Sequence, residues 1–364
     1  MINQTAYALG SNRSCIRELF EYGRQRAAVV GAENVYDYSL GNPSIPAPAA
    51  VDETIREILQ DTPSLQIHGY TSAVGDLQTR KAIAEDLNCR YQAGVKPENL
   101  FMGCGAAPEL VAVFRALAVP GAEILAIAPY FPEYKPFCEA NGVGFKVVPP
   151  DVPNFQINLP KLESVLTPAT QAIIINSPNN PSGVVYTRET LTALAQLLTR
   201  KGEEYGHPIY IISDEPYREI AYDVEVPWVP GLYDRTLVCY SYSKSLSLPG
   251  ERIGWVLVPP AFPEHDRMFA AVRGADREQN MNRFKERVNS LKQSGDRRLR
   301  TEREKLYNRV RQLEQQVATL ENNIGFFSKS KGVESLIAEV EDKIAKTKRE
   351  IADTIAKIKL IDGE

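Results

Sequence analysis

Hydrophobic and polar positions along the chain follow two rhythms, and the change falls near residue 275. Before it, short runs apolar on both faces recur: "EILAIA" (123–128), "GFKVVP" (144–149), "QAIIIN" (171–176), "PIYIIS" (208–213), "TLVCYS" (236–241) and "RIGWVLV" (252–258). Between them lie stretches with helical periodicity, such as "ETLTALAQLLTRKGEEYG" (189–206). Runs that bury both faces and alternate with helices predict an α/β domain with a mostly parallel sheet covered on both sides. Functional side chains are then expected at the carboxyl ends of the strands.

After the change, Leu306, Val310, Leu313, Val317, Leu320 and Ile324 mark a heptad seam. "GFFSKSKG" (325–332) predicts a break. A second stripe then carries Ile337, Val340, Ile344, Ile351 and Ile358, with Thr347 and Thr354 at intervening seam positions. The pattern predicts an antiparallel helical hairpin, or coiled-coil tail, over roughly 300–361.

Composition sharpens the boundary. All 25 prolines lie at or before Pro263, while residues 276–364 hold 20 Lys/Arg and 16 Asp/Glu. Two domains are expected, 1–275 with an N-terminal arm and 276–364. The net charge of −4 over 364 residues gives no general attraction to nucleic acid or an anionic membrane. No apolar run is long enough to cross a bilayer, and the N-terminus lacks a signal-peptide pattern, so a cytoplasmic protein is expected. Five scattered cysteines without a CxxC read as reduced thiols. Three histidines without ligand spacing argue against a metal site.

The chemistry concentrates in "CYSYSKSLSLPGERIGW" (239–255). Lys244 follows an apolar run, Ser241 and Ser243 flank it, and Arg252 leads into the next run. An arginine with hydroxyls makes a phosphate anchor. A lysine beside such an anchor suggests a Schiff base with a phosphorylated aldehyde cofactor. Asp214 ends the apolar run of "IISDEPY" (211–217), where a carboxylate is costly without a cationic or donor partner. Either it caps a following helix, or it pairs with the pyridinium nitrogen of pyridoxal phosphate, with Tyr217 reaching the phenolic oxygen. "NSPNNPSG" (176–183) reads as a turn after a strand. "GCGAAPE" (103–109) follows a strand and opens a helix whose N-terminus suits a phosphate. Pro108 stands where a dinucleotide fingerprint would need glycine.

Together with "YSLGNPS" and "HGYTSAVGDLQTRKAIA", these motifs closely resemble the class I/II aminotransferases of the pyridoxal-phosphate fold type I superfamily, over about residues 10–275. The resemblance implies a three-layer large domain, pyridoxal 5'-phosphate as cofactor, and transfer of an amino group between an amino acid and a 2-oxo acid in a homodimer. It implies Lys244 as the lysine forming the aldimine and shuttling a proton. Asp214 matches the pyridinium partner, and Tyr217 with Asn180 the pair on the phenolic oxygen. Ser241, Arg252 and the backbone of Gly105, Ala106 and Ala107 match the phosphate ligands. Ala107 lacks the hydroxyl frequent there. Phe131 matches the ring-stacking aromatic, Tyr70 a tyrosine reaching the phosphate across a dimer interface, and Gly41 a glycine approached by the substrate carboxylate, near Asn180. In the family the chain continues past this point into a small α/β domain that supplies the substrate-clamping arginine. Here the heptad tail follows, so turnover is expected to be impaired and the chain reads as truncated or chimeric. None of Arg273, Arg277, Arg283, Arg297 and Arg298 takes the clamp role. The tail resembles a bacterial helical-repeat domain of unknown function. Two other readings stay open: a catalytically inactive cofactor-binding or coiled-coil interaction protein, and a pyridoxal-phosphate-dependent lyase.

Overall fold

The computed structural model describes Tyr7, Ser11 and residues 15–39, 41–275, 298–327 and 334–362. They divide into two compact units, Met1–Arg273 and Gly274–Glu364. Among the described residues, no helix is long and apolar enough to cross a membrane.

The first unit is built on a seven-stranded sheet: β1 (Leu100–Gly103), β2 (Glu123–Ile127), β3 (Gly144–Val148), β4 (Thr170–Asn176), β5 (Tyr210–Asp214), β6 (Thr236–Ser241) and β7 (Gly254–Leu257), in the order β1-β7-β6-β5-β4-β2-β3. All pairings between β6 and β3 are parallel, while β7 runs antiparallel to both neighbours, β6 and β1. The apolar runs thus become strands, and the run at 252–258 is the one that reverses. The connection from β6, residues 242–253, holds the single helical turn Tyr242–Ser245 and no helix long enough to cross back over the sheet.

Alternation along the central strands feeds two cores. Ala172 and Ile174 of β4 pack with Leu110, Val113 and Phe114 of the helix Ala106–Ala116, whereas Ile173 and Ile175 pack with Leu191, Leu194 and Leu198 of the helix Arg188–Tyr205. Burying apolar side chains on both faces is what holds the three layers together. β3 departs from the expected pattern: Gly144 and Val147 are exposed because this strand lies at the sheet edge. Helix ends follow local chemistry. Thr187 caps Arg188–Tyr205 by accepting from the Thr190 amide, and Gly206 closes it at φ 76°, a conformation glycine adopts without strain.

In the second unit, Arg298–Phe327 and Glu334–Asp362 form an antiparallel pair. Val310, Leu313 and Val317 are buried on one helix, and Val340, Ile344, Thr354 and Ile358 on the other. Arg303–Asp362 at 2.6 Å, Arg309–Glu350 at 2.7 Å and Lys348–Glu321 at 2.8 Å fix the antiparallel direction. The first helix runs into the predicted break, through Gly325, Phe326 and Phe327, and the second begins at Glu334. The rest of that segment, 328–332, lies outside the described residues. A lone glycine costs a helix only about 1 kcal/mol, which a 30-residue helix can absorb.

Candidate functional site

The carboxyl ends of β1, β4, β5 and β6 lie along one edge of the sheet, and the amino end of the antiparallel β7 joins them. This arrangement gathers the chemistry-bearing residues of five separate segments.

Asp214 is the last residue of β5 and is buried. Its Oδ2 accepts a hydrogen bond from the Tyr134 hydroxyl at 2.5 Å, and its Oδ1 is buried with no partner among the described residues. Burial pushes the carboxyl up to about 7; the Tyr134 bond pulls against that and the neighbouring Glu215 adds to it. The helix-cap alternative fails. The next helical turn, Arg218–Ile220, takes Tyr217 as its cap residue. An orphaned carboxylate oxygen at a strand end therefore calls for a donor or cation from outside the chain.

Asn176, at the end of β4, locks the neighbouring segments together. Its Nδ2 donates to the Asp214 carbonyl at 2.8 Å, and its Oδ1 accepts from the Asn180 amide at 2.6 Å. Asn180 Nδ2 in turn donates to the Tyr217 hydroxyl at 3.2 Å. Asn180 and Tyr217, expected together on the cofactor's phenolic oxygen, thus lie within hydrogen-bonding distance of each other. Burial is the main cause raising the Tyr217 pKa, the Asp214 charge adds to it, and the Asn180 bond opposes both.

Lys244 sits in the single helical turn Tyr242–Ser245 directly after β6. Its Nζ donates to the Gly41 carbonyl, and partial burial lowers its pKa. Ser241 caps this turn, accepting from the Ser243 amide at 3.1 Å and lying 2.7 Å from the Ser243 hydroxyl. Arg252 takes a left-handed backbone (φ 57°) just before β7, with Nη1 donating to the Pro249 carbonyl at 2.9 Å. Its other guanidinium nitrogen lies against Gly105, where an added Cβ would come within 2.8 Å of Nη2. Gly105 itself has φ 92° and precedes the helix Ala106–Ala116. A guanidinium, a helix N-terminus and a glycine kept bare by its neighbour form a cradle for a tetrahedral anion.

Phe131 is half-buried and meets Tyr134 edge to face at 5.6 Å. Tyr70 is fully exposed and does not pack into this chain's own site. Arg273 is exposed on the helix spanning 265–275, and Arg277, Arg283 and Arg297 lie outside the described residues. Two buried residues near the site were not anticipated. Tyr134 was legible only as part of "PYFPEY"; nothing in that string says which aromatic would reach Asp214. Glu109 is 1% exposed, in the first turn after Gly105, with neither carboxylate oxygen partnered among the described residues.

The donor set fits pyridoxal phosphate. The bare cradle suits its phosphate, the orphaned Asp214 oxygen its ring nitrogen, and Lys244 its aldehyde. Among the described residues, no cluster of His, Cys, Asp or Glu is placed to hold a metal ion.

Comparison with known proteins agrees. An aspartate aminotransferase of Thermotoga maritima is 32% identical over 64% of this chain and 60% of its own length. An arginine–pyruvate transaminase of Pseudomonas aeruginosa is 32% identical over 66% of this chain and 60% of its length. The chain therefore spans 60% of the length of these curated relatives. Among solved structures, an amino transferase from Eubacterium rectale superposes with a TM-score of 0.75 at 48% identity, covering 86% of this chain and 81% of that one. The family model for aminotransferase class I and II matches residues 32–353, reaching past residue 275, where the resemblance was expected to end. By that match, the chain belongs to the class I and II aminotransferase family.

Proposed function

We propose that this chain is a pyridoxal-phosphate-dependent aminotransferase that moves an amino group between an amino acid and a 2-oxo acid. The observation that carries the reading is the unpartnered, buried Asp214 Oδ1 on the same sheet edge as Lys244 and the Gly105–Arg252 cradle. When bound, the cofactor supplies an aldehyde that takes up the amino group and a protonated ring that draws electrons from the substrate α-carbon.

The chain's own residues then divide the remaining work. Asp214 would hold the proton on the ring nitrogen through Oδ1, the oxygen that the Tyr134 bond leaves free. Asn180 orients the Tyr217 hydroxyl toward the ring's phenolic oxygen. Ser241, Arg252 and the amides of Gly105, Ala106 and Ala107 hold the phosphate. Phe131 covers one ring face. Lys244, whose lowered pKa enlarges its neutral fraction, is the nucleophile and then the acid and base at the α-carbon. Gly41, whose carbonyl accepts from Lys244 Nζ, and Asn180 are assigned to the substrate. Tyr70, exposed here, reaches the phosphate of a second copy in a homodimer. The domain assignment, 1–275 for cofactor binding and 276–364 as a helical hairpin, forms part of the same reading.

The test is a half-reaction. Protein loaded with pyridoxal phosphate is mixed with a panel of amino acids and the 2-oxo acid is quantified. At least one amino acid should yield product in proportion to protein, and Lys244→Ala should yield none. Equal product from Lys244→Ala, or none from the wild type with a cofactor-loaded site, sinks the reading.

A further inference from the structure

Glu109 is a buried acid that the proposed reaction does not use, and its surroundings are specific. Gly103 and Gly254 face each other across the β1–β7 pair. The Glu109 carboxyl fills the slot these two glycines leave: a Cβ on either would stand 2.7 Å from Glu109 Oε1. The slot lies one turn inside the helix that opens at Gly105, and Gly254 also pairs with Ser241 on β6. A carboxyl group has thus been built into the floor of the anion cradle. Among the described residues, neither of its oxygens meets a donor.

We propose that Glu109 couples occupancy of the cradle to a proton: binding of the phosphate group of pyridoxal phosphate at Gly105–Arg252 is accompanied by proton uptake at the Glu109 carboxyl. The inference rests on the reading of that cradle as the phosphate site. The groups facing the carboxyl are few. Arg252, before β7, favours its ionised form. Asp214 of β5 disfavours it, and Cys239 of β6 and Tyr134 of the helix Tyr134–Ala140 are the other titratable groups at hand. Burial and the Asp214 charge together hold the Glu109 pKa well above the ordinary carboxylate range, with Arg252 opposing. Without a bound phosphate, the Arg252 guanidinium and the helix N-terminus stabilise a charge on Glu109. A phosphate dianion takes both for itself and adds repulsion, so the carboxyl is driven to its neutral form. Binding that takes up a proton weakens as pH rises.

The dissociation constant of pyridoxal 5'-phosphate is measured from pH 6 to pH 9 on cofactor-free full-length protein, by fluorescence quenching rather than turnover, for wild type and for the isosteric Glu109→Gln. Titrations with pyridoxal, which lacks the phosphate, accompany each series. The ionisations of the phosphate and Lys244 are common to both proteins, and the pyridoxal series, which keeps the ring beside Asp214, subtracts the coupling of Asp214 to Glu109. Wild-type affinity for the phosphorylated ligand should fall about tenfold more across the range than that of Glu109→Gln, and the excess should shrink with pyridoxal. Parallel curves for the two proteins, with tight binding in both, overturn the role of Glu109 and leave the cofactor site standing. An excess equally large with pyridoxal also overturns it, because the proton would then answer to the ring. Absence of binding at every pH in the wild type would instead remove the cofactor reading itself. If Glu109→Gln folds poorly, direct proton uptake by the wild type, from calorimetry in two buffers of different ionisation enthalpy, decides the matter. Uptake must exceed that seen with pyridoxal, and equal uptake refutes the proposal.

Discussion

Asp214 makes the cofactor-free protein sensitive to pH in a direction opposite to that of most carboxylates. Its ordinary pKa is 3.8, and burial raises it to about 7 in the folded chain. A group whose pKa is raised by folding stabilises fully below its unfolded value, and the contribution is lost as pH climbs through the folded value. At 1.36 kcal/mol per pH unit, the interval from 3.8 to about 7 corresponds to about 4 kcal/mol. About 2–3 kcal/mol of this falls between pH 5 and pH 8. The perturbation is Asp214→Asn, which keeps the shape and removes the titration. Urea unfolding of cofactor-free wild type and variant, at several pH values in that window, gives the difference directly. The wild type should lose stability relative to the variant as pH rises, by about 2–3 kcal/mol. Adding Tyr134→Phe to the wild type should steepen the loss toward high pH, because a hydrogen bond to a charged acceptor contributes about 1.5–3 kcal/mol. Profiles for wild type and Asp214→Asn that run parallel within about 0.5 kcal/mol would refute the argument that a desolvated, half-satisfied carboxylate sits at the end of β5.

Other outcomes follow from the same geometry. Gly105→Ala should weaken pyridoxal phosphate binding at least about tenfold, because φ 92° is strained for alanine and the new Cβ meets the Arg252 guanidinium; pyridoxal binding, measured alongside, should be little changed. Arg218→Ala should cost about 3–5 kcal/mol in urea unfolding, since it strands buried Glu215, whose Oε2 lies 2.7 Å from Arg218 Nε. It would also empty the space between the stacked Tyr91 and Trp228 rings and the Val226 and Pro227 carbonyls. A loss below about 1 kcal/mol would mean the pair is solvated. Leu313→Ala should lower the stability of the helical hairpin by about 2 kcal/mol or more, read from thermal unfolding, because Leu313 is the most buried residue of its seam.

Much of the fold was legible because both periodicities were strong. A run such as "QAIIIN" between helical stretches permits few placements other than a central parallel strand, and β4 became one. The reversal of β7 was not legible from its own residues, since an antiparallel strand buried on both faces reads the same as a parallel one. It depends on the connection from β6, where residues 242–253 form one helical turn and no crossover helix. The site divides in the same way. Lys244, Ser241 and Arg252 announced themselves because a lysine, a hydroxyl and an arginine at a strand end have few joint uses. Tyr134 and Glu109 did not, because their roles depend on contacts between segments far apart in the chain: 80 residues separate Tyr134 from Asp214. A glutamate in the first turn of a helix ordinarily reads as a favourable partner of the helix dipole at the surface. Only the facing glycines of β1 and β7 show that it is buried.

The central claim is that Lys244 is the residue that bonds to the cofactor's aldehyde. Borohydride reduction of the pyridoxal-phosphate-loaded protein, followed by peptide mass spectrometry, tests it most directly. The reading predicts one dominant phosphopyridoxyl mass addition, on the peptide containing Lys244, with near-stoichiometric occupancy and loss of the visible absorbance band on reduction. A label spread over surface lysines, or an unmodified Lys244 in protein that still binds the cofactor, would contradict it.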